Sequence, residues 1–102
     1  MLVVGCANRN ITRSTDAPPL QYPDDLKVVT RESWGWQEDG QTLPPHIINK
    51  ITIHHGGEDF PSDKNPIDYL RHLQSWSRSE KQWIDIPYHF MIDLKGIIYE
   101  AR

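Results

Sequence analysis

Apolar residues in the second half of the chain follow the short patterns that are typical of strands and hairpins. Residues 47–55 are rich in β-branched side chains and run into a pair of glycines, which predicts a mostly buried strand followed by a tight turn. Residues 86–94 and 97–100 are two further apolar runs that flank a Lys-Gly turn and predict a β-hairpin. Pro87 has no amide donor, so we expect it at the start of its strand or on a sheet edge.

A helix is predicted between these strands. Asn65 is suited to cap it, Pro66 suits its first position, and Asp68 in the first turn favours the helix dipole. Four apolar residues recur at every third position and are predicted to share the face that packs on the core: Ile67, Leu70, Leu73 and Trp76.

The order strand, helix, strand, strand indicates an α/β fold, with a mixed β-sheet that has at least one parallel pair and a helix packed on one face. The folded part is expected to span residues 26–102. The sequence stops directly after the hairpin, before any helix that could cover the opposite face of the sheet. We therefore interpret the chain as a truncated domain.

The first 25 residues have a different character. They carry three prolines among Ser, Thr, Asp and Asn without an apolar period, which predicts a tether. Residues 3–6 (Val-Val-Gly-Cys) resemble the lipobox of bacterial lipoproteins, but an export signal needs about 7–15 apolar residues before this point and only five residues precede Cys6. Either the true start lies upstream, or the resemblance is accidental. Cys6 is the one cysteine, which excludes an internal disulfide.

Composition excludes some classes of function. A formal net charge of −3 on 102 residues does not attract nucleic acid phosphates or an anionic membrane surface. The apolar content is that of a globular protein and does not suggest a transmembrane segment. Four Trp and four Tyr are many for this length. Such rings either line grooves for sugars and peptides or fill a small core, and both readings stay open.

Two histidines stand at the end of the first predicted strand. Alternation along the strand puts His54 and His55 on opposite faces of the sheet, so we do not expect them to bind the same ion. The carboxyl ends of strands are where α/β proteins usually bind ligands. The alternative is an ordinary surface histidine beside a hydrogen-bonded one at the rim.

Tyr88 and His89 begin the second predicted strand, again with opposed side chains. They are either site residues, or a half-buried tyrosine and a core histidine. His46 follows two prolines in a loop and His72 is offset from the apolar helix face, so both are expected to be solvated. The chain lacks a glycine-rich phosphate loop and the Cys-x-x-Cys, His-Glu-x-x-His and Gly-x-Ser-x-Gly motifs.

Three motifs together resemble the peptidoglycan recognition proteins and the zinc-dependent N-acetylmuramoyl-L-alanine amidases related to them. Residues 30–36 (Thr-Arg-Glu-Ser-Trp-Gly-Trp) resemble the opening motif of that family, and residues 51–57 (Ile-Thr-Ile-His-His-Gly-Gly) resemble its first zinc-ligand strand. Residues 83–92 and 96–102 resemble its Trp-x-Asp-Ile-Gly-Tyr-His-Phe and Gly-x-Ile-Tyr-Glu-Gly-Arg motifs. The motifs keep the family's order, and the resemblance covers about residues 28–102.

The resemblance implies a zinc enzyme that hydrolyses the amide between N-acetylmuramic acid and the L-alanine of the stem peptide. It implies His54 as a zinc ligand and Tyr88 as the catalytic tyrosine beside the metal-bound water. The partner would be peptidoglycan or a muropeptide, contacted by Trp34, His55, Trp83, His89 and Arg102. The family's other zinc ligands, a histidine and a cysteine or aspartate, come further downstream. The fragment by itself is therefore expected to be inactive.

Three positions depart from the family pattern. Pro87 and Ala101 replace glycines beside the expected cleft, and Ser77 stands where many relatives have a histidine. The alternative function is a peptidoglycan-binding module without catalysis, in which aromatic side chains line the groove and His54 is incidental. Either function implies a protein of the cell envelope or the extracellular space, and a lipoprotein on the outer or periplasmic side of a membrane is one form of it.

Overall fold

The computed structural model describes residues 19–41 and 44–102, which form a three-stranded sheet and two helices. In chain order the elements are β1 (Val28–Val29), α1 (Arg31–Trp34), α2 (Pro66–Ser79), β2 (Phe90–Ile92) and β3 (Ile98–Glu100). The strand order is β1-β3-β2, with β1 parallel and β2 antiparallel to β3. The predicted mixed sheet with a helix on it is confirmed. Most of the predicted tether, residues 1–18, lies outside the described residues.

The predicted hairpin is present, with shorter strands than the apolar pattern suggested. β2 and β3 pair antiparallel, with Met91 opposite Tyr99. The strand begins at Phe90, so Pro87, Tyr88 and His89 precede it rather than open it. Pro87 cannot donate to a sheet ladder, and the ladder starts only after the chain has passed it.

Asp93 organises the turn of the hairpin. Its Oδ1 accepts hydrogen bonds from the amides of Lys95 at 2.8 Å and Ile97 at 3.0 Å, and its Oδ2 accepts one from the Tyr99 hydroxyl at 3.0 Å. Gly96 in this turn has a φ of +79°, a conformation that side chains with a Cβ rarely adopt. One carboxylate and one glycine therefore fix the register of β2 against β3.

We expect acid to weaken this hairpin through Asp93. Burial alone raises the pKa of the Asp93 carboxyl, but hydrogen bonds from the Ile97 and Lys95 amides and the Tyr99 hydroxyl outweigh it, so the pKa lies below its ordinary value. A lowered pKa stabilises the fold above the ordinary value of 3.8, and this contribution is lost as the pH falls through the lowered pKa. Urea titrations from about pH 6 to about pH 2 should show this loss in the wild type.

The variant Asp93→Asn is the control for this titration. Asparagine keeps an acceptor oxygen for the turn amides but does not titrate. Its free energy of unfolding should therefore fall less steeply below pH 3.8 than that of the wild type. Identical slopes in the two proteins would show that Asp93 does not carry the acid sensitivity.

Helix α2 starts as predicted, and three of the four residues of its predicted face pack on the core, but the most buried side chains lie to one side of that face. The Asn65 Oδ1 caps the helix by accepting the amide of Ile67 at 2.9 Å. Leu70, Gln74 and Ser77 are buried, whereas Trp76 stays 37% exposed. Positions three apart drift by about 60° around a helix at each step, so a strict three-residue period leaves the core face within two turns. Neither described helix is long and apolar enough to cross a membrane.

The core lies where α2 and the loop around Ile86 meet the sheet, and it consists of Trp34, Leu70, Ile86, Tyr99 and Ala101. Trp34 is fully buried and its indole N–H donates to the Glu100 carbonyl at 2.6 Å. The Glu100 carboxylate accepts the Arg31 amide at 2.9 Å and the Tyr22 hydroxyl. Burial and the hydrogen bond to Glu100 raise the pKa of Tyr22. These contacts tie Arg31, and Tyr22 of the predicted tether, to β3.

Residues 47–55 do not form the predicted strand. Ile47, Ile51 and Ile53 are 91%, 71% and 91% exposed, and no backbone hydrogen bond in the described part of the chain joins this segment to a neighbouring strand. β-branched residues favour a strand only where a partner strand and a packing surface are present. The segment is extended chain beside β2, and the prediction was wrong.

The parallel pair also differs from the expected one. It joins β1 to β3, with Val28 opposite Ile98, instead of the predicted strands at residues 47–55 and 86–94. β1 has two residues, which is too short to appear as a period in the sequence. Its pairing joins residues about seventy positions apart, so no short pattern in the sequence predicts it.

Candidate functional site

A cleft of about 730 Å³ separates the extended segment 46–56 from residues 87–92. Four of the five histidines of the chain line this cleft: His46, His54, His55 and His89. Tyr88 lines it as well. The cleft therefore gathers imidazole and phenol groups from two segments that are more than thirty residues apart.

His54 and Tyr88 are in contact across the cleft. Their ring centroids lie 4.9 Å apart at an interplanar angle of 55°. The His54 Nδ1 lies 2.9 Å from the His55 carbonyl oxygen. Because a carbonyl only accepts, Nδ1 carries a proton, and in the neutral ring Nε2 keeps the lone pair. His54 thus presents an acceptor, or a metal-ligating nitrogen, next to the phenol ring of Tyr88.

The ring nitrogens of His55 have the opposite roles to those of His54. The His55 Nδ1 accepts the amide of Gly57 at 3.1 Å, which in the neutral ring leaves its Nε2–H as a donor. Gly57 has a φ of +80°, so the backbone here takes a conformation that favours glycine. Both imidazoles are exposed, one available as an acceptor and the other as a donor.

His89 is the half-buried histidine of the cleft. Burial lowers the pKa of its imidazole below the ordinary value, and the positive charges of Arg102 and His46 lower it further. His89 is therefore neutral at pH 7, with one ring nitrogen to donate and one to accept. Arg102 lies close enough to affect this pKa but does not line the cleft.

Besides Arg102, two more predicted substrate residues lie away from the cleft. Trp34 is completely buried in the core, where it cannot touch a ligand, because its ring packs under the sheet and its N–H is used by Glu100. Trp83 is 45% exposed and packs edge-on against Trp76 at 6.1 Å between ring centroids. His46, which the sequence suggested was merely solvated, lines the cleft although it is exposed. The sequence could have indicated this, because His46 stands at the start of the same segment that ends in His54.

A second cleft, of about 560 Å³, runs along α2 and was missed by sequence reasoning. The Tyr69 hydroxyl donates to Glu58 at 2.9 Å, and burial together with this bond raises the pKa of Tyr69 to about 12. The Lys64 Nζ lies 4.5 Å from the Tyr69 ring centroid and 5.2 Å from that of Phe60. These contacts fold the loop before α2 onto the helix. They depend on the path of the loop, which no period in the sequence describes.

The described residues do not form a complete metal centre. Within residues 19–41 and 44–102, no three His, Cys, Asp or Glu side chains come together in a way that could hold an ion. A catalytic zinc takes three protein ligands and a water. The Nε2 of His54 has the chemistry of one such ligand, and the side chains around it do not supply the other two.

Comparison with known proteins finds relatives of one class. No family model matches the chain. Peptidoglycan-recognition protein SC2 of Drosophila simulans is 28% identical over 79 residues, which cover 76% of this chain and 43% of the relative. Peptidoglycan-recognition protein SD of the same fly is 25% identical over 81 residues, which cover 76% of this chain and 44% of the relative.

A solved structure agrees with these relatives. The crystal structure of Drosophila peptidoglycan recognition protein SD superimposes with a TM-score of 0.53 and 26% identity, over 76% of this chain and 48% of that one. The chain spans less than half the length of the curated relatives it matches. In sequence and in fold it is similar to the peptidoglycan recognition proteins.

Proposed function

We propose that the chain recognises peptidoglycan and binds a muramyl peptide in the cleft between residues 46–56 and 87–92. The observation that carries this proposal is the contact between His54 and Tyr88, which belong to two of the sequence motifs and meet in one cleft. The relatives suggest the class of ligand, since they are peptidoglycan-recognition proteins.

The side chains of the cleft match the chemistry of a muramyl peptide. Such a ligand alternates amides and hydroxyls with short apolar groups. The imidazoles of His54, His55 and His89 offer both acceptors and donors, and the Tyr88 hydroxyl offers either. Ile51 and Ile53 on the same wall are exposed and provide apolar contact for methyl groups.

The test is a calorimetric titration of the chain with N-acetylmuramoyl-L-alanyl-D-isoglutamine. We expect His54→Ala to weaken binding about tenfold, because one hydrogen bond to a ligand in a partly closed cleft is worth about one to two kcal/mol. His72→Ala is the matched control, since this exposed histidine of α2 does not line the cleft. Equal affinities for the two variants would remove the cleft from the proposal.

Amide hydrolysis between N-acetylmuramic acid and L-alanine is the second candidate function. The specific observation in its favour is a tyrosine ring in contact with a histidine whose Nε2 can ligate a metal. Bound zinc would supply an activated water and polarise the scissile carbonyl. The donor set of the described residues does not complete such a site, so we expect the chain alone not to cleave.

Chelation separates the two candidates. If recognition is the function, muramyl peptide affinity should be the same with and without EDTA, and chromatography should show intact ligand after incubation. Metal-dependent affinity, or release of L-alanyl-D-isoglutamine that His54→Ala abolishes, would favour the hydrolase instead. Under either candidate we propose that the protein acts in the cell envelope or the extracellular space. Lipid attachment at Cys6 stays a prediction, because this residue lies outside the described part.

A further inference from the structure

Strand β2 lies at an edge of the sheet. The strand order β1-β3-β2 places β3 on its inner side, and among the described residues no strand pairs with its outer side. Residues 87–92 also form one wall of the cleft that the four histidines line. An edge strand with a free outer side therefore borders a cavity of about 730 Å³, which is within the size range of ligand sites.

Two hydrogen bonds at the ends of β2 show which of its backbone groups face β3. The His89 carbonyl accepts the Ala101 amide at 2.9 Å, and the Asp93 amide donates to the Ile97 carbonyl at 3.0 Å. In an antiparallel pair, residues that bond to the partner strand alternate with residues whose N–H and C=O groups point away from it. The odd-numbered positions from His89 to Asp93 therefore use their backbone groups on β3.

Phe90 and Ile92 are the residues between these positions. Their N–H and C=O groups lie on the outer side of β2, and no hydrogen bond of the described residues uses them. Because a strand rises by about 3.4 Å per residue, the two sets of groups are separated by about 7 Å along the strand. The outer side of β2 thus offers a donor and an acceptor twice, at the repeat of an extended peptide.

The side chains around this edge favour apolar and acidic neighbours. Ile92 is 69% exposed, and Ile51 and Ile53 on the opposite wall of the cleft are exposed as well. Lys50 lines the cleft, whereas no Asp or Glu among the described residues does. A basic segment would meet a like charge here, and an acidic one would not.

We propose that the outer side of β2 binds an extended segment of a partner protein, which adds a fourth strand to the sheet through the backbone of Phe90 and Ile92. The segment has apolar side chains at alternate positions and an acidic residue among them. A peptide main chain repeats its donors and acceptors at the spacing of the edge, and strand addition to an exposed edge is a known mode of peptide recognition. The site depends on the β2 edge and not on the proposed recognition of muramyl peptides.

Amide hydrogen exchange of the isotopically labelled chain tests the pairing directly. The probe is the blocked pentapeptide acetyl-Thr-Val-Glu-Val-Thr-amide. In the free chain the amides of Phe90 and Ile92 should exchange rapidly, and saturation with the peptide should slow them by about tenfold or more. The amide of Met91 is the internal control, because it faces β3 and should be protected with and without peptide.

Two altered peptides separate the main-chain contribution from the side chains. Methylation of the three central amide nitrogens keeps every side chain but removes the donors, so binding should weaken by about tenfold or more. Exchanging the glutamate for lysine should weaken binding about threefold, because Lys50 lies in the cleft. Equal affinity of the methylated and unmethylated peptides would overturn the strand pairing. Equal or tighter binding of the lysine peptide would overturn the acidic preference.

Ile92→Pro is the matching change in the protein. Proline removes the outward N–H of this position without removing a hydrogen bond to β3, and edge strands tolerate proline there. Affinity for the pentapeptide should fall about tenfold, whereas Ile92→Ala keeps the N–H and should stay within about threefold. Equal losses would show that only the side chain matters and would overturn the proposal. If the proline variant does not fold, the methylated peptide still decides the question.

The other possible occupants of the edge give different results. Protection of Phe90 and Ile92 in the free chain would mean that residues 47–55 or a second copy already pair with β2, and dilution distinguishes these two. Either result would overturn the proposal. Binding of N-acetylmuramoyl-L-alanyl-D-isoglutamine without binding of the pentapeptide would overturn it as well, and would leave the proposed recognition of muramyl peptides in place.

Discussion

Trp34→Ala should lower the free energy of unfolding by about 3–5 kcal/mol, the range seen for large aromatic deletions in protein cores. Trp34 is completely buried against the core around Leu70 and Ile86, and its indole N–H is bonded to the Glu100 carbonyl. A small domain has only about 5–15 kcal/mol in total, so this loss is a large part of it. Urea unfolding followed by circular dichroism measures the change.

Two variants separate the contributions of the Trp34 side chain. Trp34→Phe keeps most of the buried ring but leaves the Glu100 carbonyl without its partner, and should cost about 1–3 kcal/mol. Trp83→Ala is the control for removing an indole from this protein, and it should cost about 1 kcal/mol because that ring is 45% exposed. If Trp34→Ala and Trp83→Ala lowered the stability equally, Trp34 would not be the centre of the core.

Asp85→Ala should lower the free energy of unfolding about as much as Trp34→Ala, for a different reason. Asp85 is 4% exposed and accepts hydrogen bonds from the Trp36 indole at 2.8 Å, the Gln74 amide at 2.9 Å and the Ile86 backbone amide at 2.7 Å. It also lies 3.4 Å from the Arg78 guanidinium. Removing one partner of a buried, hydrogen-bonded ion pair costs about 3–5 kcal/mol, since the remaining donors lose their acceptor.

The control variants for Asp85 test that mechanism. Asp85→Asn keeps an acceptor oxygen while removing the charge, so it should lose less stability than Asp85→Ala. Asp63→Ala removes a carboxylate from the exposed loop before α2 and should change the free energy of unfolding by less than about 0.5 kcal/mol. If Asp85→Ala changed the free energy of unfolding only slightly in urea titrations, water would have to replace the carboxylate as the acceptor for the buried donors.

Elements that depend on neighbours along the chain could be predicted from the sequence. The cap of α2 needs only Asn65 and the first amides after it, and the hairpin turn needs only Asp93 and the glycine that follows Lys95. In both cases the hydrogen bonds that the backbone amides donate span four residues or fewer. A pattern of residue types carries that information directly, because each hydrogen bond is made within the pattern itself.

Elements that depend on distant partners could not be predicted in this manner. The β-branched run at residues 47–55 has the propensity of a strand but no ladder bonds in the described part of the chain, so its isoleucines are exposed. β1 has almost no pattern, yet it pairs with β3 across the whole domain. The β-propensity of a segment shows that it can form a strand, but it forms one only where a partner strand is present to pair with it.

The candidate site shows the same difference between what the sequence predicts and what the tertiary structure decides. The sequence alone identified His54 and Tyr88 as candidate site residues, through their residue types, their motifs and the family resemblance. It placed His54 at the end of one apolar run and Tyr88 at the start of another. Only the tertiary structure decided that their rings meet 4.9 Å apart, that His46 joins them, and that Trp34 is withdrawn into the core. The physical reason is that hydrogen bonds and burial between residues far apart in the chain depend on how its segments pack, whereas caps and turns are complete within a few residues.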